Sequence, residues 1–144
     1  MSHVTTPTGE NLFIARALKA TDGTADLAIV AARFLDVLHA RPGLEAARLE
    51  PTQSGTEFVL RLAADPRANI VLAEPQILLG RLSVSLYGKG SEHAAWHGLS
   101  CGLVWIKDWS GSYARTHITD PGQLDDLASH IDRAWALKQA RVAA

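Results

Sequence analysis

Apolar positions follow two rhythms along the chain, and the change between them divides it into elements. In TADLAIVAARFLDVLHARPG (24–43), Leu27, Val30, Ala31, Phe34, Leu35 and Leu38 recur at intervals of three and four. That spacing gathers them into one stripe on a helix. Thr24 is placed to accept from the first free N–H groups, and Asp26 lies at the positive end of the helix dipole. Pro42 and Gly43 predict the stop. A second stripe of Leu124, Leu127, Ala128, Ile131, Ala134 and Trp135 predicts a C-terminal helix. There Asp120 as N-cap, Pro121 at the first helical position and Gln123 beyond it make a capping-box pattern. Asp125 and Asp126 come early and Lys138 and Arg141 late, as the dipole favours. Segment 11–20 carries both rhythms. Phe13, Ala17 and Ala20 are spaced as on a helix while Leu12 and Ile14 alternate, and helix is slightly favoured. Residues 1–10 are polar, with Pro7 and Gly9, and predict a flexible tail ahead of a single domain over 11–144.

Between the helical stripes the period drops to two. ARLEP, TQSG and TEFVLRLA predict a hairpin with Phe58, Leu60 and Leu62 on one face and Glu57, Val59 and Arg61 on the other. ANIVLAEP predicts a short strand ended by Pro75. ILLGRLSVSLYG alternates most regularly, with Leu82, Val84 and Leu86 inward and Arg81, Ser83, Ser85 and Tyr87 outward. After a connector, GLVWIKDW and SGSYARTHI predict two strands joined by a tight turn around Asp108–Gly111. The expected fold class is α+β: an antiparallel sheet of about five or six strands, one face solvated, with an N-terminal and a C-terminal helix packed on the other.

Composition narrows the function classes. Hydrophobic residues at 47% and charged residues at 20% are ordinary for a globular chain of 144 residues. Lys and Arg number 14 against 15 Asp and Glu, with no basic run in either half. Counterion-displacing nucleic-acid binding needs such a run, so no nucleic-acid partner is expected. The N-terminal MSHVTTPTGE lacks the basic and apolar regions of a secretory signal, and no apolar run approaches the ~18 residues of a membrane span. The single cysteine, Cys101, has no internal disulfide partner, which fits a reducing compartment. The expectation is a cytoplasmic protein without a membrane partner or a cofactor.

The densest chemistry lies in KGSEHAAWHGLSCG (89–102), where His93, His97 and Cys101 stand four apart beside Glu92. In a helix His93 and His97 are ~6 Å apart along the axis and could share one ion, but Cys101 is ~12 Å from His93. In a strand even neighbouring members are ~13 Å apart. Zinc ligand bonds of ~2.0–2.3 Å therefore exclude all three on one regular element, leaving at most a His93–His97 pair with Glu92. Cys101 and His117 form the other candidate, a nucleophile and its base on adjacent predicted strands. A two- or four-residue turn would separate them, placing Cys101 with Ala114 and Thr116 and His117 with Tyr113 and Arg115. These residues define the alternative function, a metal- or cysteine-dependent hydrolase centred on 92–101. The bland reading is a connector followed by a core cysteine.

The outward face of the last hairpin carries the leading expectation. Tyr113, Arg115 and His117 line up there, Trp109 sits in the turn, and Trp96 lies in the connector. Aromatic and arginine anchors amid apolar residues are the material of protein-interaction hot spots. The expected function is a stand-alone protein-binding protein with no catalysis, its partner another protein or a second copy of the chain. The helix–strands–helix order loosely resembles that of specialised secretion chaperones, and the size that of small bacterial toxin-neutralising (immunity) proteins. This resemblance covers topology and size alone and implies a chaperone-like or neutralising role. The near-neutral charge departs from the acidic balance usual in such chaperones.

Overall fold

The three-and-four spacing over 26–39 and the alternation over 81–88 both become regular structure in the computed structural model, which describes residues 9–20, 26–45, 47–61, 69–88, 104–108 and 111–143. Among these residues the order is α1 (Gly9–Ala17), α2 (Asp26–His39), β1 (Glu50–Pro51), β2 (Phe58–Arg61), β3 (Asn69–Gln76), β4 (Arg81–Gly88), β5 (Val104–Asp108), β6 (Gly111–Ile118) and α3 (Gln123–Ala143). The strands form one antiparallel sheet in the order β1-β2-β3-β4-β6-β5. The fold is therefore α+β. Thr24 and Leu62, given roles by the sequence pattern, lie outside the described residues, as do 1–8 and the connector before β5.

The helical stripes are buried as their period requires. Leu27, Val30, Ala31, Phe34 and Leu38 of α2 are each no more than 1% exposed, and Leu124, Leu127, Ile131 and Ala134 of α3 likewise. They join one apolar cluster with Phe58, Leu60, Val71, Ala73, Leu82, Val84, Leu86, Ala114 and Ile118, the residues of one side of the pleat. Ile70 belongs to the same cluster although its neighbour Val71 does too. The β2–β3 register slips between Leu60 and Arg61, and a bulge there lets two successive residues turn to one side.

The N-terminal part differs from expectation. Helix α1 begins at Gly9, two residues inside the stretch read as tail, because packing holds it. Phe13 lies 5.3 Å from Phe58 and 6.1 Å from Phe34, ring centre to ring centre, so one aromatic residue ties α1 to β2 and α2. Any Cβ on Gly9 would collide with the Leu49 carbonyl oxygen, so only glycine allows this approach. Glu10 binds the His39 Nε2 at 2.8 Å and accepts from the Leu49 backbone N–H at 3.4 Å. The C-terminal stop of α2 is the expected one. Gly43 has φ of 87° and sits where a Cβ would come within 2.7 Å of the Trp135 indole nitrogen, so it both turns the chain and admits α3.

Two strand boundaries also move. Pro75 does not end β3, which runs on to Gln76 with Pro75 paired to Leu82. Pairing with β2 stops at Ala73, so at Pro75 the strand is laddered only toward β4, and a missing N–H is tolerated on the open side. Segment 77–80, read as the start of the next strand, is instead the turn. Gln76 pairs with Arg81, Leu79 N–H donates to the Gln76 carbonyl, and Gly80 has φ of 63°. Leu78 and Leu79 are consequently exposed at the tip of this hairpin.

Candidate functional site

The side of the sheet opposite the apolar cluster is set by register. Asp108 pairs with Gly111, and in this register Tyr113, Arg115 and His117 share the face away from Ala114, Thr116 and Ile118. On β4 their partners are Tyr87, Ser85 and Ser83, and on β5 Val104 and Ile106 pair with Arg115 and Tyr113. Across β4, Ser83 faces Glu74, Ser85 faces Leu72 and Arg81 faces Gln76.

This face is not uniformly solvated. Ser83 and Ser85, expected to be solvated, are 4% and 1% exposed. The physical reason is length: each short hydroxyl stands between longer side chains, Glu74 and His117 for Ser83, Leu72 and Arg115 for Ser85. Tyr113 is also buried, its ring 5.4 Å from that of Tyr87 and inclined at 41° to it. Arg115 lies over the Tyr113 ring at 5.0 Å from its centre, and its Nε donates to Ser85 Oγ at 3.1 Å. Stacking and hydrogen bond together fix the guanidinium plane. Arg81 is held separately: its Nε donates to Gln76 Oε1 at 2.6 Å, while Gln76 Nε2 donates to Glu74 Oε1 at 3.1 Å.

His117 is the exposed member of the group. Partial desolvation of its ring, followed by the charges of Arg81 and Arg115, lowers its pKa from the ordinary 6.5. Near neutral pH the imidazole is thus held uncharged between two permanent cations. The parts of the arrangement open to solvent are His117 and the half-buried Arg81, Tyr87 and Arg115, which suits binding of an anionic or aromatic group.

Of the residues singled out from sequence, the structure brings together Tyr113, Arg115 and His117. Trp96, Trp109, Glu92, His93, His97 and Cys101 lie outside the described residues. Among the described residues, no three His, Cys, Asp or Glu side chains are grouped to hold a metal ion. Sequence reasoning assigned no role to Arg81, Ser85 and Tyr87, although their outward parity was legible. Their neighbours were not, because the β4–β6 pairing spans the whole connector and has no local signal. A depression of about 360 Å³ is lined by Ile29, Thr119, Asp120 and Pro121, and the Asp120 carboxylate is engaged at the start of α3. No helix among the described residues is long and apolar enough to cross a membrane. No protein-family model matches this chain, and no curated protein or solved structure matches it either.

Proposed function

We propose that this chain is a cytoplasmic protein-binding protein that acts through the Tyr87–Tyr113–Arg115–His117 face and the adjoining β5–β6 hairpin, without bond-making chemistry. The observation that carries the reading is the ordered state of Arg115, stacked on Tyr113 and tethered to Ser85 before any ligand arrives. An arginine fixed in this way loses little conformational freedom on binding, and Arg with Tyr is the usual composition of an interface hot spot. The chaperone-like and toxin-neutralising roles suggested by size and element order both need only such a surface.

Alanine at Arg115 or at Trp109 is expected to weaken partner capture by about 2 kcal/mol, roughly thirtyfold, while leaving the fold intact. Immobilised wild-type and variant chains would be compared for what they retain, identified by mass spectrometry, with circular dichroism as the folding control. Equal capture of the same partner by both folded variants would remove this surface from the function.

A further inference from the structure

At the corner where α2 ends, two charged side chains and a backbone carbonyl meet around one imidazole. Glu10 of α1 sets both carboxylate oxygens on His39 Nε2, Oε2 at 2.8 Å and Oε1 at 3.0 Å. At the other ring nitrogen, Nδ1, the Leu44 carbonyl oxygen and Arg48 Nη1 both stand at 3.4 Å. Those two neighbours make opposite demands, because a carbonyl accepts a hydrogen bond and a guanidinium donates one. Nδ1 satisfies one of them at a time, and its proton decides which. Nε2 has no such choice. A carboxylate is an acceptor alone, and Glu10 also takes the Leu49 backbone N–H at 3.4 Å. Nε2 therefore keeps its hydrogen in both charge states of the ring, and Nδ1 is the nitrogen that gains or loses one.

We propose that His39 is a proton-operated switch for Arg48, mounted on a clamp that holds α1 in both states. With Nδ1 bare, Arg48 Nη1 donates to it as well as to the Glu45 carbonyl at 3.1 Å and the Ala47 carbonyl at 2.8 Å. When Nδ1 takes a proton from water, its new N–H donates to the Leu44 carbonyl. The ring is then a cation 3.4 Å from the guanidinium, and the two compete for Glu10, which lies 3.8 Å from Arg48 Nε. Arg48 is 55% exposed, so water can take the place of the ring at its guanidinium. The Nε2–H bond to Glu10 persists, and α1 stays in place. Neighbouring elements add further charges around this corner. Arg41, two residues past His39, is paired with Asp132 of α3 at 3.1 Å and donates to the Val37 carbonyl. Glu50 of β1 is paired with Arg61 at 3.7 Å. Asp36, a turn earlier on α2, is exposed, and Glu45 enters through its backbone carbonyl. Arg16 lies ~9 Å further along α1 than Glu10. From β4, Leu82, Val84 and Leu86 join the apolar cluster with α2. The switch does not depend on the protein-binding face.

The test is an NMR pH titration of the folded chain that follows the His39 ring nitrogens and the Arg48 side-chain nitrogen and carbon signals. The expected result is an Nε2–H tautomer in the neutral ring and Arg48 signals that shift with the same midpoint as Nδ1. His39→Gln removes the titrating nitrogen and should leave the Arg48 signals flat over that range. Arg48→Gln should keep the Nε2–H tautomer, since Glu10 sets it. Hydrogen-exchange protection of the α1 amides should be equal on both sides of the midpoint and fall about tenfold in Glu10→Ala. A neutral ring found as the Nδ1–H tautomer overturns the proposal. Arg48 signals that ignore Nδ1, or that move equally in His39→Gln, overturn it too. So does loss of α1 protection when the ring is protonated. Should Glu10→Ala fail to fold, the wild-type titration and the surface variant Arg48→Gln still decide the matter.

Discussion

His117 lies on the same strand as Arg115 and diagonal to Arg81, and its ionisation reports on both. Desolvation and the two guanidinium charges make the folded chain take up this proton less readily than the unfolded chain. As pH falls through 6.5, the unfolded state therefore binds more protons at this position. The contribution of His117 to stability is full above 6.5, declines as pH falls toward the lowered folded value, and changes no further below that value. His117→Gln should flatten that segment of the pH–stability curve, measured by urea unfolding at pH values spanning 6.5. Arg115→Gln should move the His117 titration midpoint upward in NMR, because one of the two charges is gone. A midpoint unmoved by that substitution would mean that Arg115 does not act on the ring.

At the scale of elements, the start of α3 shows how far local sequence carries. Asp120, Pro121 and Gln123 predicted a capping box, and the structure contains it: Gln123 Oε1 accepts from the Asp120 N–H at 3.1 Å and from the Thr119 N–H at 2.9 Å, while Asp120 Oδ1 accepts from Gly122 N–H at 3.2 Å. Asp120→Ala should cost about 1 kcal/mol, measured as a lower urea midpoint at unchanged slope. Such signals are legible because every partner lies within a few residues. The buried stripes of α2 and α3 and the inward set Leu82, Val84 and Leu86 were legible for the same reason, since periodicity is local. The misread boundaries share the opposite cause. Whether Pro75 ends a strand depends on where β2 stops, and Ile77–Gly80 reads as strand until the left-handed Gly80 closes a turn. The burial of Ser83 and Ser85, and with it the shape of the candidate site, depends on which long side chains the β3–β4 and β4–β6 registers bring alongside. The sequence pattern named three residues of the face, Tyr113, Arg115 and His117, but only pairing across the sheet added Arg81 to them.

Across the whole molecule, α1 is the element whose role the sequence understated most, and it tests whether the described residues fold as one unit. Its own length and composition give it little independent stability, since an isolated helix of this size is marginal in water. Yet Phe13 is fully buried against Phe34 and Phe58, Gly9 abuts the Leu49 carbonyl, and Glu10 binds His39 and the Leu49 N–H. These contacts join the first described helix to α2 and to the far end of the sheet from β5. Phe13→Ala should therefore act globally, lowering stability by about 3–5 kcal/mol, a large share of the 5–15 kcal/mol typical of a domain. Because the lost contacts belong to the shared core, unfolding should remain a single transition, with far-ultraviolet dichroism and tryptophan fluorescence falling together at a lower denaturant concentration. If α1 were an appendage, the substitution would instead remove a small part of the helical signal and leave the main midpoint where it was. That outcome would separate α1 from the cooperative unit and confine the core to α2, α3 and the sheet.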